Sequence, residues 1–104
     1  MDLTAVTKAV LSAAEGAAGA TWGKIKHDYA ADLQDILQLA ESVATKLASG
    51  ELAEDEAEEL LKDQSGLLFM LTKEAEVGSK LVVQNAINAG IDTLWVAVKA
   101  AAKL

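Results

Sequence analysis

The sequence contains one histidine, His27, followed by Asp28, Asp32 and Asp35. On a helix the three aspartates share a face, at i, i+4 and i+7. Imidazole and carboxylates are the usual proton carriers and metal ligands. A metal site, however, needs three or four converging donors and a second layer of partners that orients them. Donors strung along one helical face point outward and do not converge. The expected reading is a solvated helix face. No Glu-x-x-His occurs, so a di-iron bundle site is not indicated.

A second candidate is Gly19-Ala20-Thr21-Trp22-Gly23-Lys24. Glycines followed by lysine suggest a loop that cradles phosphate. The spacing is one residue short of that motif, and Ile25 stands where a Ser or Thr would hold magnesium. No strand pattern precedes it. A third candidate is the acidic group Glu54, Asp55, Glu58 and Glu59. Carboxylates at a helix start are accounted for by the positive end of the helix dipole. The sequence has no cysteine, which removes disulfides, thiolate nucleophiles and Cys-based metal sites. The residues therefore predict no catalytic group, no metal and no cofactor, and a non-enzymatic protein.

Charge limits the partners. The net charge is −7. Between positions 51 and 64, seven acidic residues face only Lys62, which leaves −6 there. No basic patch offers a nucleic-acid footprint, so nucleic acid is not an expected partner. No run of uncharged apolar residues is long enough to span a bilayer. Asp2 and Glu15 spoil a secretory signal, and a cytoplasmic location is expected.

The elements that position these residues are helices. The chain of 104 residues has no proline, and strong helix formers dominate it. The clearest break is Ser49-Gly50, with the acidic run starting at once after it. Gly50 suits the left-handed residue that ends a helix. The spacing predicts an all-α chain, an antiparallel hairpin with one helix over about 3–48, a turn at 49–52 and a helix over about 53–102. Leu3, Ala14, Ile25, Ile36 and Leu47 recur every 11 residues, as do Leu60, Leu71, Val82, Thr93 and Leu104. That period fits nearly straight helix pairing. Gly16, Gly19 and Gly23 weaken the first arm, each by about 1 kcal/mol relative to alanine. A break near Gly19–Gly23 would give three helices.

The C-terminal half carries a second apolar stripe: Met70, Val77, Leu81, Ile87, Ile91, Leu94, Val98 and Ala101. One partner helix covers an arc of little more than ~100°. A second stripe requires a second protomer, a third helix from the same chain, or lipid. Trp95, between Asp92 and Lys99, and Trp22, near Ser12, Glu15 and Lys26, fall on nominally polar faces. Large rings there are candidate interface anchors. The expected interface is therefore Trp22, Met70, Val77, Leu81, Ile87, Ile91, Leu94, Trp95 and Val98.

In size and hairpin shape the chain resembles the small secreted Trp-x-Gly proteins. Their motif lies in the turn between the helices. Here the turn is Ser49-Gly50-Glu51, and Trp22-Gly23 lies within the first arm with no intervening residue. The resemblance is one of size and shape, and it assigns no family.

The leading functional expectation is a structural or interaction protein that self-associates through its C-terminal helix, a dimer completing a four-helix bundle. The rival expectations are a weakly membrane-surface-associating or secretion-related protein, and an acidic inhibitor or adaptor that binds a basic protein through residues 51–64.

Overall fold

The computed structural model describes residues 1–68 and 80–103. They form α1 (Leu3–Ala18), a single 3₁₀ turn (Gly19–Thr21), α2 (Trp22–Ala48), α3 (Glu54–Leu68) and α4 (Lys80–Ala101). The chain is all-α. Asp2 starts α1 by accepting hydrogen bonds from the Thr4 and Ala5 amides at 3.1 and 3.2 Å. That satisfies two of the amides left without helical partners at a helix start.

The turn expected at Ser49-Gly50 is present. Gly50 takes a φ of 83°, a conformation open to glycine without a Cβ penalty. Its amide donates to the Leu47 carbonyl, and the Leu52 amide donates to Lys46. The Glu56 carboxylate then accepts from the Ala53 amide at 3.2 Å, and Glu54, Asp55 and Glu56 fill the first turn of α3. The acidic run thus has a structural role at a dipole end.

The first arm is not one helix. Gly19 adopts φ 57° and ψ −128°, and the chain reverses there. One helix over 3–48 would span about 69 Å, whereas the longest dimension of the molecule is 42 Å. The cause lies in Gly16, Gly19 and Gly23, which lower helix propensity, and in the unpartnered apolar arc of α4, which α1 returns to cover. The continuity expected for the second arm across 69–79 lies outside the described residues.

The four helices among the described residues run up, down, up and down. Lys8, Leu11 and Ser12 share a groove with Trp22, Lys26 and Ala30. Further along, Leu3, Thr4 and Thr7 share one with Gln34, Leu37 and Gln38. These pairings make α1 and α2 antiparallel. Met1 lies near Ala101 and Val10 beside Gly90, so α1 is also antiparallel to α4. Among the described residues, the α1–α4 pairing is the most extensive. α2 packs on α3 across the turn, and α3 packs on α4. The described helices of one chain thus form a bundle by themselves. Of the second stripe, Ile87, Ile91, Leu94 and Val98 are buried within it, with α1 as a main cover, while Leu81 and Ala101 are exposed.

The core runs along this axis. Ala14, Ile25 and Ile36 of the 11-residue series are fully buried, and Leu47 nearly so. In the second half the series is displaced. Leu60, Val82 and Thr93 are half-buried, while Ala57, Leu61, Val83, Ala86, Ile87, Ile91, Leu94, Trp95, Val98 and Ala102 are buried. Leu71 and Leu104 lie outside the described residues. The buried arc of α4 is broad because three helices flank it, and a single 11-residue stripe cannot represent it.

Candidate interaction surfaces

The expected interface residues fall into three groups. Ile87, Leu94 and Val98 are fully buried, and Ile91 and Trp95 are each 6% exposed. These five are core residues of the chain itself. Leu81 is 70% exposed and Trp22 is half-buried. Met70 and Val77 lie outside the described residues. Trp95 does not stand on a polar strip: its ring turns into the bundle edge, and Lys99 Nζ lies 5.5 Å from the ring centroid. That distance is within reach of a cation–π attraction. Trp22 packs edge-on against Tyr29, with ring centroids 5.3 Å apart at 66°. Both rings serve intrachain packing.

Tyr29 is the polar anchor of this core. It is fully buried on α2, and its hydroxyl donates to the Ala86 carbonyl of α4 at 3.0 Å. The hydroxyl fits only because Gly90 leaves a notch. A Cβ at Gly90 would overlap the Tyr29 hydroxyl and approach Val10 Cγ1 of α1 to 3.2 Å. Three helices therefore meet at Tyr29, Gly90 and Val10. Ala86 and Gly90 are small residues spaced by four, one turn apart on the same face of α4. Nothing in the sequence indicated that a tyrosine would fill the space above them.

Burial pushes the Tyr29 hydroxyl well above the usual phenol range, because a charged phenolate in an apolar core loses its hydration. The sign of the resulting pH dependence follows. The unfolded chain releases the proton near pH ~10, whereas the folded chain retains it. This contribution is fully present below that pH and is lost progressively above it. In thermal melts from about pH 8 to about pH 11, wild type should lose stability more steeply than Tyr29→Phe at the alkaline end. Parallel curves would contradict the assignment.

The chemistry-bearing clusters are surface features. His27, Asp28 and Asp35 are exposed on α2, and Asp32 is half-buried. Among the described residues, no group of three His, Cys, Asp or Glu residues is placed to hold a metal ion. The Gly19–Lys24 segment forms the 3₁₀ turn and the first residues of α2. On α3, Glu54, Asp55, Glu56, Glu59 and Asp63 are exposed, and Glu58 pairs with Lys62 at 3.4 Å.

Among the described residues, one helical stretch, Leu81–Ala101, is long and apolar enough to cross a membrane by length and composition. It tolerates Asp92 and Lys99 within that length. Many of its apolar side chains are the core residues named above, which the chain's own helices cover.

No protein-family model, curated protein or solved structure matches this chain. Its function must be read from its own geometry.

Proposed function

We propose that this is a non-enzymatic interaction protein that self-associates, with the broad apolar arc of α4 as the surface buried on association. The observation that carries the proposal is the nature of the cover on that arc. α1 is the principal partner of α4, yet the buried side chains it contributes are Val6, Val10, Ala14 and Ala18. Burying one valine contributes about 1.5–3 kcal/mol, and alanine contributes less. α2, by comparison, buries Ile25, Tyr29, Leu33, Ile36, Leu37, Val43 and Leu47, with two alanines. The apolar arc of α4 thus has a lightly anchored helix as its main partner among the described residues. Leu81 and Val96 add exposed aliphatic surface to the same helix, at 70% and 63% exposure.

Size exclusion with light scattering tests this reading on the full chain. The expected result is a mass that rises with concentration from 10.8 kDa towards twice that value. A constant monomer mass up to millimolar concentration would contradict it.

A further inference from the structure

We infer that Gly19 is a one-residue hinge through which two copies of this chain exchange α1. The inference deepens the self-association proposed above and rests on it. The local geometry is the starting point. Ala18 has φ −84° and ψ −27°, Thr21 has φ −70° and ψ −21°, and Trp22 has φ −53° and ψ −42°. All three are right-handed helical values. Gly19, at φ 57° and ψ −128°, stands apart from them. Ala20 lies in the 3₁₀ turn and does not have a positive φ, so bringing Gly19 into the helical region, with that turn relaxing to α, joins α1 to α2 as a continuous rod.

The sequence is in register for that rod. Leu3, Ala14, Ile25, Ile36 and Leu47 continue at 11-residue spacing through the turn without a phase shift. A turn built only as a turn has no need to preserve that phase. The start of α2 is equally suggestive, since Thr21 makes no side-chain capping bond to it. Capping normally stabilises a helix start by about 1 kcal/mol, and a residue in the middle of a longer helix does not require it.

Opening the hinge uncovers Val6, Val10, Ala14 and Ala18 on α1 and the arc of α4. The occupant that restores every one of these contacts is α1 of a second copy, placed reciprocally on the first. Such an exchange reuses the native contacts and changes only the hinge, which is why it is a low-cost route to a dimer. The occupant is therefore another copy of this chain.

Gly19→Ala is the direct test. A Cβ at Gly19 meets no atom within 4 Å, so the substitution acts through the backbone alone. It strains the folded-back turn, where φ is positive, and favours the helical rod. Counting both chains of a dimer, the association constant should rise by about three to four orders of magnitude. Gly16→Ala is the control. Gly16 lies inside α1, also with open space at its Cβ, so it raises helix propensity equally in both forms and should leave the constant unchanged. Inserting Gly-Ser-Gly after Gly19 should relax the turn and return the chain to monomer.

The exchange itself is read from spin labels on Lys8→Cys and Ala31→Cys, both exposed sites. A doubly labelled chain is diluted into unlabelled Gly19→Ala protein, and the dimer fraction is measured. The rod places the two sites about 35 Å apart; the folded-back hairpin places them less than about 20 Å apart. The long distance supports exchange. A dimer with the short distance overturns it while leaving self-association intact. Monomeric wild type and Gly19→Ala, with undiminished helicity by circular dichroism, overturn both.

Discussion

Tyr29→Ala should lower the stability of the folded chain by about 3–5 kcal/mol, the range for removing a large buried aromatic ring. The whole stability of a domain this size is about 5–15 kcal/mol, so the variant should sit near the edge of unfolding. The size of the effect follows from what the ring does. It fills the junction of α1, α2 and α4, anchors α2 to the Ala86 carbonyl, and gives Trp22 its edge-on partner. Urea titration followed by circular dichroism checks the prediction through the midpoint. Trp22 fluorescence, which should shift to the red as the ring loses its neighbour, checks the local change. A loss below about 1 kcal/mol, the usual worth of one hydrogen bond, would mean that the ring is not the keystone described here.

Gly90→Ala has the second largest expected effect, and its sign should depend on residue 29. With Tyr29 present, the new methyl collides with the hydroxyl and presses on Val10. Overpacking of this kind costs about 1–3 kcal/mol. With Tyr29→Ala the collision with the ring is gone, and the remaining close neighbour, Val10 Cγ1, can move into the space the ring vacates. The substitution should then stabilise α4 by up to about 1 kcal/mol, since alanine is the better helix former. The two changes should thus be strongly non-additive, as expected for residues in direct contact. A double-mutant cycle measured by urea unfolding gives the coupling. Additive effects within about 0.5 kcal/mol would show that the two positions do not meet.

Much of the fold is legible in the sequence, but unevenly. The all-α class follows from the missing proline and the helical period. The turn at Gly50 follows from a glycine standing directly before a run of carboxylates. The apolar arc of the last helix is also visible, with the correct deduction that one partner helix cannot cover it. The identity of the cover is what escaped. Periodicity through Gly19 argues for a continuous helix, and it is a genuine property of the chain, because the register does continue. Propensity cannot weigh a single glycine's freedom against the tertiary gain of folding α1 back onto α4. Long-range packing decides that balance, and it leaves no local mark.

The same limit explains the two tryptophans. Trp95 falls between Asp92 and Lys99, and a helical wheel assigns it to the polar side. Packing against α1, α2 and α3 buries more of α4 than a two-helix wheel allows, so Trp95 becomes core while Lys99 extends over its ring. Trp22 looks like an anchor for a partner, and its partner proves to be Tyr29, about two helical turns further along the same chain. The residues expected to meet another molecule are thus, for the most part, those that hold this one together. That is the physical basis for locating self-association in an exchange of α1, because exchange buries the same side chains across two chains.

In this fold α1 lies antiparallel on α4 and covers its apolar arc. Nuclear Overhauser contacts between the Val10 methyls and the Gly90 α-protons, measured on the monomeric fraction of the full chain, test it most directly. Because Val10 Cγ1 lies against Gly90, a strong contact is predicted, together with chemical shifts that break the helical pattern at Gly19. No contact between these residues, with helical shifts running unbroken from Leu3 to Ala48 in the monomer, would contradict the account.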